Sequence, residues 1–340
     1  MSKPTLRRSF GLLLWFMATA VVTQAQTSRA ASAAAYVERG NEWMVKGEID
    51  RAIADYGLAI AFDADVANVY YNRGFARQQK GDSAGALSDY DRAIALNPRY
   101  AKAYLNRGVL RSELGEFEAA ITDFSRVIEI NPRNARAWNN RGEAHRNQDQ
   151  LDAAITDFSQ SLKLDPRSVI AWSNRCRARY QEGALDAALI DCNRALNLDA
   201  RCAEAWNGRG LTRREKGELD GALADLDRSI ALDPERASFY SDRSGAWLLK
   251  GEPERALNDS ERALALNPQL AEAWANRGAV WFVRGDFTRA IADFDEAVKF
   301  DPRLAAAYGN RGTALLMQGK PIEAEADFAR CRALGGKPKP

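Results

Sequence analysis

An arginine recurs at Arg39, Arg73, Arg107, Arg141, Arg175, Arg209, Arg243, Arg277 and Arg311, and every interval is 34 residues, without insertion or deletion. A chain in this register is one supersecondary unit written nine times, and each unit buries its faces against its neighbours. With the arginine as position 7, the units begin at Ala33, Ala67, Ala101, Ala135, Val169, Ala203, Ala237, Ala271 and Ala305. Position 4 is aromatic, position 20 alanine and position 23 aspartate in all nine. Position 8 is glycine except at Cys176 and Ser244, position 15 is glycine except at Asp149, and position 32 is proline in six units.

These positions describe two short helices per unit. Apolar or small residues at 4, 8 and 11 make one face of a first helix, and those at 20, 21, 24, 27 and 28 make the inner face of a second. Glycine at 15 breaks the chain between them, and proline at 32 stops the second helix. Pro253 and Pro321 fall at position 17, in the first turn of a helix, where proline is tolerated. Small residues at 8 and 20 indicate a close approach of two backbones.

An aromatic at 4, glycine at 8, alanine at 20, an aromatic at 24 and proline at 32 resemble the tetratricopeptide repeat (TPR) family over residues 33–336. The resemblance implies an all-α solenoid, a right-handed superhelix of eighteen antiparallel helices whose first helices line a concave groove. The family usually carries leucine at position 7. Nine arginines there, matched by nine aspartates at position 23, predict an ion-pair ladder between helices, within a repeat or across a junction; the alternative is two solvated charge rows.

Little in the chain points to catalysis. A single histidine, His145, excludes chemistry that needs two, and its place at position 11 makes it a packing residue. There is no phosphate-cradling glycine loop, zinc-ligand spacing or nucleophile elbow, so no enzyme and no cofactor is expected. A formal charge of +2 gives no field to attract nucleic acid. Trp43, Trp138, Trp172, Trp206, Trp247, Trp274 and Trp281 stand at positions 4 or 11, which are core positions and not stacking platforms. Cys176 and Cys192, at positions 8 and 24 of one repeat, face each other in an antiparallel hairpin. They form either a disulfide or two buried thiols filling a small site; Cys202 and Cys331 have no evident partner.

The resemblance places positions 2, 5, 6, 9, 12 and 13 on the concave surface. Position 6 is asparagine at Asn72, Asn106, Asn140, Asn174, Asn276 and Asn310, which would either hold an extended peptide backbone or bridge adjacent repeats. The carboxylate clamp of chaperone-binding relatives is incomplete: Asn41, Asn72 and Lys102 match it, whereas Val37 and Asn106 replace its first lysine and its arginine. Groove charges Lys102, Arg136, Arg146, Arg177 and Arg214 mix with Glu113, Glu143, Glu204 and Glu215. In the last three repeats positions 12 and 13 become apolar, as Leu248–Leu249, Phe282–Val283 and Leu316–Met317. Such a stripe marks a partner site, unless one of the two positions turns inward.

Lys3, Arg7 and Arg8, an apolar run from Phe10 to Val22 and Thr23-Gln24-Ala25 read as an export signal over residues 1–25, too short to span a bilayer. The expected organisation is that signal, a linker over 26–32, nine repeats over 33–336 and a basic tail over 337–340. Cleavage would remove three basic residues and no acid, turning the charge from +2 to −1. The expected location is periplasmic or secreted, with no membrane contact once the signal is cleaved; an uncleaved anchor is the alternative. The array ends without a polar capping helix, leaving Phe328, Cys331 and Leu334 uncovered by sequence. Two functions follow as expectations: a scaffold taking a protein or peptide in its groove, or a structural homo-oligomer stacking through that end.

Overall fold

The structure is a computed structural model that describes residues 31–337. The expected signal, residues 26–30 of the linker and residues 338–340 lie outside the described residues. The chain divides at Leu164 into two compact units. In the first, α1 (residues 31–45), α2 (Ile49–Phe62), α3 (Ala67–Lys80), α4 (Ser83–Leu96), α5 (Ala101–Glu113), α6 (Phe117–Ile130), α7 (Ala135–Asn147) and α8 (Leu151–Leu164) form four antiparallel hairpins. Residues 31 and 32 are helical, so α1 takes in the end of the expected linker. The second unit holds α9 (Val169–Glu182), α10 (Leu185–Leu198), α11 (Ala203–Glu215), α12 (Leu219–Leu232), α13 (Ala237–Lys250), α14 (Pro253–Leu266), α15 (Ala271–Val283), α16 (Phe287–Phe300), α17 (Ala305–Met317) and α18 (Pro321–Ala333), five more hairpins. Each unit is an all-α solenoid, and no strand occurs among the described residues.

Local chemistry sets these boundaries. The position-15 glycines adopt φ between 76° and 87°, the left-handed conformation that ends a helix at no steric cost. At α3, Gly81 N–H donates to Gln78 and Asp82 N–H to Arg77, which satisfies carbonyls the helix leaves open. Asp149 takes the same turn at φ 61°, the one non-glycine with positive φ among the described residues. Position 8 is small partly for the expected backbone approach, since a Cβ on Gly142, Gly210, Gly278 or Gly312 would stand 3.1 Å from the position-20 carbonyl, and partly to clear a ring. A Cβ on Gly108 would stand 2.7 Å from the Phe124 ring, and one on Gly312 2.6 Å from Phe328, so the glycine makes room for the position-24 aromatic. Three repeats lack that ring: Gly210 stays glycine against Leu226, and in the other two position 8 changes as well. Cys176 meets Cys192, and Ser244 donates to the Ala256 carbonyl beside Ser260.

The arginine and aspartate rows are one ladder, paired within each repeat. All nine arginines fork onto their aspartate through Nε and Nη2, at 2.5–2.9 Å. The carboxylates are buried, at most 6% exposed, so each fork offsets a desolvation that an isolated charge could not bear. Every arginine also lies over its position-4 ring, 4.5–5.8 Å from the centroid. The third guanidinium nitrogen reaches the preceding repeat where a partner exists: Arg107 to Asp91, Arg141 to Ser125, Arg209 to Asn193, Arg243 to Asp227, Arg311 to Asp295. One side chain thus closes its own hairpin and registers it on its neighbour.

Position 11 completes the pattern. Arg77, Arg111, Arg179 and Arg213 add a second cation to the same aspartate, at 2.7–2.9 Å. Trp43 Nε1 donates to Asp55 instead, and His145 bonds Gln150 through Nδ1 with Nε2 3.8 Å from Asp157. The seven tryptophans are half-buried, not fully enclosed; cations cover their exposed faces, as Arg289 does over Trp281 at 4.4 Å.

The C-terminal end is less open than the sequence implies. Phe328 and Cys331 are buried within their own hairpin and Leu334 is half-buried. The chain after α18 crosses back so closely that a Cβ on Gly336 would stand 2.6 Å from Cys331 Sγ and 2.9 Å from Ala305 Cβ. What α18 leaves outward is Ile322 with Ala326, Ala329 and Ala333, among charged residues.

Candidate functional site

Repeat geometry turns positions 5, 6, 9 and 12 of each first helix to one surface, and their side chains differ in how firmly they are held. In the first unit most groove candidates are occupied by one another. Asn72 donates to Asn41, which also accepts from Tyr56, and Asn106 donates to the Tyr71 hydroxyl. Asn140 accepts from Asn139. Arg146 is buried and forks onto Glu143 at 2.6 and 3.0 Å, while Lys102 and Arg136 remain exposed. In the second unit Asn276 donates to the Ser241 carbonyl at 2.8 Å, and Asn310 is exposed. Asn72, Asn106 and Asn276 therefore tie helix to helix.

The second unit opens where this row is interrupted. Between α9, α11 and α13 lies a cavity of about 360 Å³ whose lining includes Asn174, Arg177, Tyr180, Gly208, Arg214 and Asp242. Position 6 here is Gly208 and then Asp242, where the neighbouring repeats carry Asn174 and Asn276. Gly208 lies directly over the cysteine pair. Cys176 and Cys192 are joined, S–S 1.97 Å with Cα atoms 5.4 Å apart. A Cβ at 208 would meet their sulfurs at 3.1 and 3.5 Å. The sulfur pair fills the core under α11, the glycine clears the floor, and the absent side chain leaves space above it.

Asp242 stands on the far wall, part-buried. Asn207 Nδ2 donates to it at 2.8 Å, from the repeat before. Burial pushes its carboxyl up to about 6; the Asn207 hydrogen bond and the charges of Arg214 and Arg177 pull the other way, and Glu272 adds repulsion. Arg214 crosses the cavity, donating through Nη2 to the Tyr180 hydroxyl at 3.2 Å and to Glu215 at 3.0 Å. Its Nη1 lies 3.2 Å from where Gly245 would carry a Cβ, so a small residue on α13 lets the guanidinium pass. Arg236 and Glu204 pair at 2.7 Å on the rim. The result is a polar recess with cations, carboxylates and amides within reach of a single ligand.

The apolar candidates divide between wall and surface. Leu248 and Phe282 are half-buried, Phe282 against Phe287 at 5.4 Å, so position 12 turns inward there. Leu316 is 38% exposed, while Leu249, Val283 and Met317 at position 13 are 59–64% exposed. Among the described residues no group of three His, Cys, Asp or Glu is placed to hold a metal ion, and no helix is long and apolar enough to cross a membrane. Sequence reasoning picked out Arg177 and Arg214 but missed Gly208 and Asp242. Their signal was present as the break in the position-6 asparagines.

Comparison with known proteins bears on the fold. Family models described as tetratricopeptide repeat match residues 67–100, 101–134 and 135–168, and again 193–237, 248–305 and 285–337; a TPR repeat model matches 40–81. No curated protein matches the chain. Among solved structures, a tetratricopeptide repeat protein from Parabacteroides merdae is 17% identical, with a TM-score of 0.63 over 73% of this chain and 98% of its own. The Cut9–Hcn1 hetero-tetramer of the APC/C is also 17% identical, with a TM-score of 0.60 over 89% of this chain and 73% of its own. At that identity the likeness is one of fold. Repeat register, hairpin geometry and family models agree, and the chain belongs to the tetratricopeptide repeat family.

Proposed function

We propose that the protein is a non-catalytic interaction scaffold that holds an extended segment of a protein partner in the groove of its second unit. The observation that carries this reading is the recess between α9, α11 and α13, where Gly208 withholds a side chain and charged and amide groups from successive repeats face one space. Exposed Leu249 on α13, Val283 on α15 and Met317 on α17 add apolar contacts further along the second unit. Export belongs to the proposal: the pattern of residues 1–25 supports it, and so does a paired Cys176–Cys192, which persists best in an oxidising compartment. Stacking of copies through the C-terminal end loses support, because Phe328 and Cys331 are already buried.

A photo-crosslinking amino acid at Leu211, which lines the recess, should capture a partner in the producing cell. The same group at Ile190, exposed on α10, serves as the outer-face control. Equal capture at both sites, or none at Leu211, would count against the groove. Fractionation with sequencing of the mature amino terminus tests export, for which Gln26 is the expected first residue.

A further inference from the structure

In the third and fourth repeats, both in the first unit, unpaired charge sorts by sign to two opposite edges. The turns that enter α5 and α7 carry Arg99 and Lys102, then Arg133 and Arg136. The turns from α5 to α6 and from α7 to α8 carry Glu113 and Glu118, then Asp149 and Asp152. All eight side chains are exposed, and among the described residues none has an ion-pair partner. We propose that the basic edge of one copy pairs with the acidic edge of a second, so that the chain associates with itself head to tail through its first unit. The contact involves neither the recess of the second unit nor the C-terminal end.

A local exchange leaves the basic edge positive. The turn after a second helix is closed by a position-31 side chain that accepts from the backbone N–H two residues on. Asp63, Asp165, Asp199 and Asp301 do this with a carboxylate. Before α5 and α7 the acceptors are Asn97, bonded by Arg99 N–H at 3.0 Å, and Asn131, bonded by Arg133 N–H at 3.1 Å. The amide closes the same turn without adding a negative charge. Glu129, at the end of α6, is held by Arg126 at 2.7 Å and does not neutralise the row. On the acidic edge the cations are engaged elsewhere. Arg111 reaches Asp123 at 2.9 Å and lies 3.9 Å from Glu116, and Arg146 is buried against Glu143.

Both rows ride on the same two hairpins. Each steps once per repeat, on the order of 10 Å, the spacing of packed helices. First helices of 13 residues hold the rows about 20 Å apart. Because one pair of hairpins sets the step of both rows, a second copy set edge to edge brings both repeats into register together. Four cations then meet four acids. The two contacting surfaces differ, so each copy keeps one edge open for the next. Exposed pairs attract weakly one at a time, and salt screens them, which makes the association reversible and dependent on ionic strength.

The test is light scattering on the chain purified from the producing cell. At an ionic strength of about 0.01 M the particle mass should rise with protein concentration, and at about 1 M it should stay at that of one chain. Reversing the basic edge (Arg99→Glu, Lys102→Glu, Arg133→Glu and Arg136→Glu) should abolish the rise. Reversing the acidic edge (Glu113→Lys, Glu118→Lys and Asp152→Lys) should abolish it as well. Circular dichroism in the same buffer checks that each variant is folded. Mixed in equal amounts, the two variants offer edges of opposite sign to each other, and the rise should return. The neutral pair Arg99→Gln with Arg133→Gln, which asks least of the fold, should shift the rise to higher protein concentration. A mass that ignores concentration at low salt, or a mixture that stays at one chain, overturns the proposal. So does an acidic-edge reversal that leaves association intact, since the basic row would then have a different anionic partner.

Discussion

Single residues in this chain gain their meaning from the row they belong to. Asp149 stands where eight repeats have glycine, and its φ of 61° is a conformation in which a side chain is crowded. Asp149→Gly should stabilise the first unit by about 1 kcal/mol, read as a rise in thermal midpoint, since release of strain outweighs the added freedom of glycine. Asp242 is the second exception. Its carboxyl titrates near 6 in the folded protein, whereas the unfolded chain releases that proton near 4. The raised folded value means that its relative stabilisation is complete below the unfolded value and is lost as pH rises through about 6. Asparagine cannot ionise, so Asp242→Asn should stabilise the second unit by roughly 2 kcal/mol at pH 7.5 and by nothing near pH 3.5. Urea midpoints across that interval check the sign.

At the scale of the hairpin, the arginine–aspartate fork is the unit of construction, and its parts differ in worth. Asp123 is 1% exposed and accepts from both Arg107 and Arg111, so Asp123→Ala should cost about 3 kcal/mol by leaving two partly buried cations uncompensated. Asp295 touches the same arginine row from the exposed side, through Arg311, which keeps its fork to Asp327. Asp295→Ala should therefore cost under about 1 kcal/mol. Hydrogen exchange of α5–α6 and of α17–α18 distinguishes the two. The row itself was legible in the sequence as invariance at a fixed spacing. Its geometry was not: the sequence left pairing within or between repeats open, and the structure shows the fork within and the third nitrogen between.

Across the molecule, neighbours register through short-range contacts repeated along each unit. A second row lies outside the core, from position 14 to position 18 of the preceding repeat: Lys80–Asp50 in the first unit, and Lys216–Asp186, Lys250–Asp220 and Arg284–Glu254 in the second, with Gln318 to Thr288 as an uncharged member. Stability built from such nearest-neighbour terms does not disappear all at once. Trp172, Trp206, Trp247, Trp274 and Trp281 lie in the second unit, Trp43 and Trp138 in the first. Tryptophan fluorescence and far-ultraviolet circular dichroism should therefore give urea transitions that do not coincide. Superimposable curves would show that the units unfold as one.

The sequence by itself determined the repeat, the two helices per repeat, the turn glycines and the two charged rows at positions 7 and 23. Those features are periodic, and a period is visible without coordinates because each element repeats the same local physics. The recess is the opposite case, since it exists where the period fails. A cysteine pair in one repeat removes a ring, a glycine of the next repeat sits closely over the sulfurs, and the space above is bounded by Arg214 and Asp242 of later repeats. Nothing in any one repeat's sequence states that these departures touch. Only the tertiary structure decided it, because packing brings residues 30 to 70 positions apart to one wall, and charge burial there depends on every side chain around it.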